Sequence, residues 1–199
     1  AIMLDQRIQG LYGITPNNNL NIALIERIFN EHKVNILQYR HKTNNDKLKL
    51  EEAKRLLELC LQHNTLFIVN DDINLCEKVG ADGVHLGQND TSINTAREQL
   101  GEKAIIGVSC YNQLQLAFEA EEMGANYVAF GSLFSSITKP TASECPLSVI
   151  KIAKEKIKLP IVGIGGITFE NQRLAFHAGC DAVAMLNGLF SFNKELRTD

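Results

Sequence analysis

The 199-residue chain is short of several things, and each shortage removes a class of function. It has no excess of one charge: 20 Lys and Arg stand against 23 Asp and Glu, for a net charge of −3, and no polybasic block is present. Neither nucleic acid nor an anionic membrane surface is therefore an expected partner. No apolar run approaches the ~18 residues that suggest a bilayer span, and the start carries no signal-peptide pattern. The chain begins at Ala1 rather than Met, which leaves processing open. The five cysteines (Cys60, Cys76, Cys110, Cys145, Cys180) are odd in number, scattered, and free of any C-x-x-C pair. A reducing, cytoplasmic compartment is expected, with the thiols packed as small hydrophobes. Cys110 is the one to watch, because it directly follows an expected strand end. No Cys/His cluster has zinc spacing. There is no Walker loop, no nucleophile elbow, and no G-x-G-x-x-G after the first strand. No linker, low-complexity tract or second domain is visible, so residues 1–199 read as one domain.

What is present points to alternating strands and helices. Leu66-Phe67-Ile68-Val69 is a short continuous apolar run that ends on Asn70-Asp71-Asp72. Such a run reads as a strand buried on both faces, as in a parallel sheet. Asp72 suits the N-cap of the next helix; Asn70 and Asp71 are left over and must face something else. Seven further strands are expected at 10–14, 35–40, 83–86, 104–109, 126–130, 160–164 and 181–186. Helices are expected at 18–32, from 44–46 through Leu61, at 73–79, from the Ser92 cap to 100, and at 112–123, 147–157 and 169–178, with a last one starting near Gly188. Eight strand–helix pairs with short loops predict a compact (β/α)8 TIM barrel. A weak internal repeat agrees: Gly80-Ala81-Asp82, Gly124-Ala125-Asn126 and Gly179-Cys180-Asp181 each end a helix on Gly and enter a strand through Asp or Asn.

In such a barrel the carboxyl ends of all strands share one face, where ligands bind. That face would collect Thr15, Gln38, Arg40, Lys42, Asn70, Asp71, Gln88, Asp90, Ser109, the only long connection (131–146), Gly165-Gly166 and Asn187-Gly188. Arg40 and Lys42 stand at i and i+2 on an extended segment, in phase with Gln38. Two cations and an amide make an anion site. Asp71 and Asp90 end consecutive strands. They could simply pair with the cations, or they could hold Mg²⁺, which takes one or two carboxylates plus waters and phosphate oxygens. A pyrophosphate gripped by Arg40, Lys42 and Mg²⁺ accounts for both sets of charges. Gly165-Gly166 and Asn187-Gly188 fall after strands seven and eight, where barrels often bind phosphate through backbone N–H groups. The histidines read as bland: His32, His63 and His177 as exposed helix residues, His41 as pointing away from Arg40 and Lys42, and His85 as a hydrogen-bonded interior residue.

Taken together, Leu37-Gln38-Tyr39-Arg40-His41-Lys42, Ile68-Val69-Asn70-Asp71-Asp72, Gly80 through Asp90, Ile106-Gly107-Val108-Ser109-Cys110-Tyr111, Phe130-Gly131 with Ser136-Ile137-Thr138-Lys139-Pro140, and Ile164-Gly165-Gly166-Ile167-Thr168 resemble the thiamine-phosphate synthase family from about residue 10 to about 190. The resemblance implies a (β/α)8 barrel that joins hydroxymethylpyrimidine diphosphate to a thiazole phosphate, giving thiamine phosphate and pyrophosphate. It implies that Gln38, Arg40, Lys42 and Asn70 bind the pyrimidine diphosphate and that Asp71 and Asp90 hold Mg²⁺. By the same likeness Ser109 and Lys139 also meet the diphosphate, Ser136 and Thr138 the thiazole side, and Gly166 with Asn187-Gly188 the thiazole phosphate. It implies a dissociative path, with diphosphate leaving before the thiazole nitrogen attacks a pyrimidine methylene cation. The partners implied are small molecules, and a homo-oligomer is allowed. Asn187 stands where the family commonly has Ser, and Ser136 where many members have Thr. Two alternatives share the fold. A thiazole tautomerase would have His at Tyr111 and no acid at Asp71; a non-catalytic phospholigand sensor would have less need of the Asp71/Asp90 pair.

Overall fold

The structure, a computed structural model, describes residues 7–18, 20–135 and 144–190, without the side chain of Asn187. Eight strands form a closed, all-parallel barrel in which each strand pairs with the next and the last with the first. The strands are β1 (Gly10–Ile14), β2 (Val34–Tyr39), β3 (Leu66–Asn70), β4 (Gly83–Leu86), β5 (Ile105–Tyr111), β6 (Tyr127–Phe130), β7 (Ile161–Gly163) and β8 (Ala182–Met185). Between and after them lie α1 (Ile22–Glu31), α2 (Asp46–Gln62), α3 (Ile73–Val79), α4 (Ile93–Leu100), α5 (Leu114–Glu122), α6 (Leu147–Lys156), α7 (Gln172–Ala178) and α8 (Asn187–Phe190). The expected (β/α)8 barrel is the observed one. No helix among the described residues is long and apolar enough to cross a membrane.

Local chemistry explains the starts of the first four helices. Asn21, Asn45, Asp72 and Ser92 cap α1, α2, α3 and α4 by accepting from the N–H three residues on, at 3.0–3.2 Å. The foreseen cap at Asp72 is present. Helix α7 starts three residues later than its periodicity suggests. Thr168 and Asn171 instead close a reciprocal turn, Thr168 N–H to Asn171 Oδ1 at 2.8 Å and Asn171 N–H to Thr168 Oγ1 at 3.2 Å.

The internal repeat has a physical cause. The Asp or Asn of each copy clasps the start of the preceding strand at two points. Asp82 N–H donates to Phe67 O (2.9 Å) while its Oδ2 accepts from Phe67 N–H (2.8 Å). Asn126 does the same to Ile106 (2.7 and 2.8 Å), and Asp181 to Ile161 (both 2.8 Å). Three alternate strand pairs, β3/β4, β5/β6 and β7/β8, are thus locked at their amino ends, the barrel face concerned with stability.

The core has two shells. Between strands and helices lies a large apolar layer that includes Leu37, Phe67, Val69, Ile106, Val128 and Val183. Inside the barrel a smaller cluster includes Tyr12, Ile36, Ile68, Tyr127, Val162 and Ala184. This alternation is the two-residue period of a strand with both faces covered. Glycine makes room within it. A Cβ on Gly107 would lie 1.9 Å from Tyr127 Cζ, so the Tyr127 ring fills the slot that Gly107 leaves. All five cysteines are buried thiols. Cys110, singled out because it follows an expected strand end, packs in the outer shell, and burial pushes its thiol up to about 12; it is a core residue.

Candidate active site

The carboxyl ends of the strands bring the expected polar residues to one rim. Gln38, near the end of β2, is only 4 % exposed and points into the barrel, where its amide Nε2 donates to Tyr12 Oη at 2.8 Å. Two residues on, Arg40 leaves the strand. Its backbone is held by buried Thr15: Arg40 N–H donates to Thr15 Oγ1 at 2.9 Å, and that hydroxyl donates back to Arg40 O at 3.2 Å. The guanidinium Nε of Arg40 is buried and has no hydrogen-bond partner among the described residues. A buried charged donor in that state suits an anion. Lys42 is exposed, and its N–H donates to Asn17 Oδ1.

Helix α2 holds this segment from behind. His41 turns away from the mouth, as expected, and its Nδ1 lies 2.7 Å from Glu52 Oε1. Tyr39 Oη donates to the same oxygen at 2.7 Å, and Leu20 N–H donates to Glu52 Oε2 at 3.0 Å. Burial pushes the Glu52 carboxyl up, but the bonds from His41, Tyr39 and Leu20 outweigh it and hold the group below the usual carboxylate range. One buried acid therefore fixes the residues on either side of Arg40.

Asn70 ends β3 and Asp71 follows it. Asp71 takes a left-handed backbone (φ 55°), and its N–H donates to His85 O at 2.8 Å, tying the two strand ends together. Its carboxyl is exposed to the mouth. Partial loss of water, and then the negative charges of Asp90 and Asp72, raise it above the usual range, against the pull of Lys49 and Lys42. Asp90 is likewise exposed, with Oδ2 accepting from Gly87 N–H at 2.7 Å. The charge of Asp90 is felt at Asp71, so the carboxylates that follow β3 and β4 lie near one another on one rim. Neighbouring Asp72 does other work, capping α3 and pairing with Lys49 at 2.6 Å.

Strands β4 and β5 contribute His85 and Ser109. His85 is 9 % exposed; its Nδ1 lies 2.8 Å from Tyr127 Oη and its Nε2 lies 2.8 Å from Ser109 Oγ. Burial, followed by the charge of Arg40, lowers its pKa to about 4, although Asp90 pulls the other way. It is the interior, hydrogen-bonded histidine the sequence suggested. Gln88 Nε2 donates to Ser109 O at 2.7 Å, steadying the end of β5.

At the far side of the mouth, the root of the long connection is fastened to the end of β7. Leu133 N–H donates to Ile164 O (2.9 Å) and Phe134 N–H to Gly165 O (3.0 Å). Gly166 has a left-handed backbone (φ 63°), and a Cβ there would lie 2.5 Å from Phe134 O. A Cβ on Gly188 would lie 2.4 Å from Ile167 O. Only glycine fits at either place. Ser136, Thr138 and Lys139 lie outside the described residues, as does the side chain of Asn187.

Sequence reasoning missed three contributors. Tyr12 and Tyr127 join Gln38 to His85 through a 2.7 Å bond between their hydroxyls, and Glu52 anchors the 39–41 segment. The tyrosines left a signal, since each is a polar aromatic at an inward-facing position of an otherwise apolar strand. Glu52 left none, because one acid on a charged helix looks like solvated surface. Two histidine readings also change. His32 is half-buried, stacked on Phe169 at 4.7 Å, and His63 is half-buried with its ring edge-on to Phe29 at 5.3 Å. Each follows the last residue of its helix, where the chain turns back toward the barrel.

Comparison with known proteins gives one consistent result. The family described as thiamine monophosphate synthase matches residues 11–189. The thiamine-phosphate synthase of Nitrosococcus oceani is 44% identical over 192 residues, covering 94% of this chain and 88% of that protein. That of Chromobacterium violaceum is 44% identical over 189 residues, covering 94% and 91%. The solved thiamine phosphate pyrophosphorylase from Pyrococcus furiosus superposes with a TM-score of 0.84 at 30% identity, covering 96% of this chain and 95% of that one.

Proposed function

The chain belongs to the thiamine monophosphate synthase family, and from that premise we propose that it condenses hydroxymethylpyrimidine diphosphate with a thiazole phosphate, releasing pyrophosphate and thiamine phosphate. The observation that carries the reading is the influence of the Asp90 charge on Asp71 at the rim that also holds Arg40, whose buried Nε finds no partner among the described residues.

The donor set fits a hard divalent cation. Among the described residues no three acidic, His or Cys side chains form a closed metal cage. Mg²⁺ does not need one, because it commonly keeps several waters and takes one or two carboxylates together with phosphate oxygens. Asp71 and Asp90 would hold it, and the ion would neutralise charge growing on the departing diphosphate. The protein's own part is electrostatic. Arg40 and Lys42, with Lys139 from outside the described residues, would meet the leaving group, and the Ser109 hydroxyl and the Gln38 and Asn70 amides would orient it. Their charge is already in place when the C–O bond breaks and leaves a pyrimidine methylene cation. The thiazole nitrogen then attacks the cation with its own lone pair, so no protein base is required. Ser136 and Thr138 would line the thiazole side, and Gly166 with Asn187-Gly188 would take its phosphate through backbone N–H groups. Excluding water from the mouth would keep it from capturing the cation; the 131–146 connection, expected to act as a lid, lies partly outside the described residues. The reaction would run in the cytoplasm, where the five buried thiols stay reduced.

Two measurements test this. Supplying both substrates with Mg²⁺ should release pyrophosphate in step with thiamine phosphate. A tautomerase would alter the thiazole without the pyrimidine partner, and a sensor would bind without turnover. A crystal soaked with pyrophosphate and Mg²⁺ should show metal between Asp71 and Asp90; metal elsewhere, with those carboxylates unengaged, would refute the assignment.

A further inference from the structure

We infer that Gln38, Tyr12, Tyr127, His85 and Ser109 form one directed chain of hydrogen bonds, which fixes His85 as the Nε2–H tautomer and commits the Ser109 hydroxyl proton to the barrel mouth. His85 and Tyr127 are then positioning residues that act on the diphosphate through Ser109. This rests on the proposed contact between Ser109 and the diphosphate.

The chain crosses the barrel interior. Its four links are Gln38 Nε2 to Tyr12 Oη (2.8 Å), Tyr12 Oη to Tyr127 Oη (2.7 Å), Tyr127 Oη to His85 Nδ1 (2.8 Å) and His85 Nε2 to Ser109 Oγ (2.8 Å). Gln38 and His85 are buried and both phenols almost fully so. Each hydroxyl and the neutral ring has one proton to place, so the direction of any one link sets the rest. The Gln38 amide donates to Tyr12. The Tyr12 proton must then go to Tyr127, and the Tyr127 proton to His85 Nδ1. The imidazole proton is left on Nε2, where it donates to Ser109 Oγ. One Ser109 lone pair is thereby occupied, and its O–H points outward as a donor.

The opposite direction is also closed. It needs the Gln38 amide turned over so that Oε1 accepts from Tyr12, and it ends with the Ser109 proton spent on His85 Nε2. The mouth would then meet only Ser109 lone pairs. Next to an anionic oxygen that arrangement repels, whereas an outward O–H makes a short, charge-assisted bond. An anion at the mouth and the outward direction therefore favour one another. The phenol of Tyr127 is the joint through which the far side of the barrel reaches His85. Its ring is held by the slot over Gly107 and by stacking on His85 at 5.6 Å, so removing only the hydroxyl leaves the ring its seat.

The test has two parts. First, ¹⁵N NMR of the full chain labelled at histidine should show His85 with a protonated Nε2 and a bare Nδ1. A protonated Nδ1 with bare Nε2 would overturn the inference, whatever any variant does. Second, binding of inorganic pyrophosphate, in buffer containing magnesium chloride, is measured by calorimetry for wild type, Tyr127→Phe, Ser109→Ala and the double variant. Tyr127→Phe should mix the two His85 tautomers and weaken pyrophosphate binding about fivefold to tenfold, roughly the worth of one oriented hydrogen bond. In the Ser109→Ala background the same change should do nothing further. Equal weakening in both backgrounds would mean that Tyr127 acts through packing alone, and the inference fails. If Ser109→Ala by itself leaves pyrophosphate affinity unchanged, the functional reading of Ser109 is wrong; the tautomer is then judged by the spectrum alone.

Discussion

Acidification should unfold this barrel partly through one residue. His85 is neutral in the folded protein, with its pKa lowered from 6.5 to about 4 by burial and then by Arg40. In the unfolded chain the ring is solvated and takes a proton near pH 6.5. Between the two values the unfolded state binds more protons than the native one, so stability falls as pH falls through this window. At about 1.4 kcal/mol per pH unit, His85 alone should cost ~3 kcal/mol by pH 4, with about two-thirds of that already lost by pH 5. That is a large share of the ~5–15 kcal/mol typical of a whole domain. Carboxylates titrate in the lower part of the same range, so the measurement is a difference. Urea unfolding of wild type and His85→Gln is followed by circular dichroism from about pH 7.5 to about pH 4. The variant begins less stable, because an amide cannot match both ring contacts, and the gap should close by ~3 kcal/mol as the pH falls. Parallel curves would show that the ring charges in place at little cost, and burial could not then be what keeps His85 neutral.

Three further outcomes follow from the rim. Asp71→Ala should lower turnover by orders of magnitude and leave the circular dichroism spectrum unchanged, since the side chain is exposed; an active, Mg²⁺-dependent variant would contradict its role. Lys139→Ala should slow diphosphate departure, read as lower kcat in single-turnover experiments, whereas a change in thiazole KM alone would move Lys139 to the other substrate. Glu52→Ala strips the partner from Tyr39 Oη, His41 Nδ1 and Leu20 N–H; it should cost ~3 kcal/mol or more in urea unfolding and weaken pyrophosphate binding by slackening Arg40. A Glu52→Ala protein with full pyrophosphate affinity would show that Thr15 alone holds the Arg40 backbone.

Much of the fold was open to reading because the relevant signals are local. The apolar run at 66–69 and the caps at Asp72 and Ser92 are settled by neighbours within four residues, and α3 and β4 fall where they were expected. Boundaries slipped where a distant or competing bond decided them. Strand β5 runs on to Tyr111, held past its expected end by pairing with β6 across a bulge. The rim residues followed from strand phase, because odd and even positions face opposite sides. What each inward residue touches did not follow, since Tyr12 and Tyr127 are 115 positions apart and bond only after the barrel closes.

Residue order alone made legible the alternation of strands and helices and the closed parallel barrel that eight such units make. Periodicity and capping depend on residues a few positions apart, and closure then places the strand ends without further instruction. Folding is what brings the charge of Asp90 to bear on Asp71, lets Glu52 grip the segment around Arg40, and joins the interior polar groups in one continuous chain from Gln38 to Ser109. These are through-space effects of burial and of short hydrogen bonds, and the linear order of residues carries no distance.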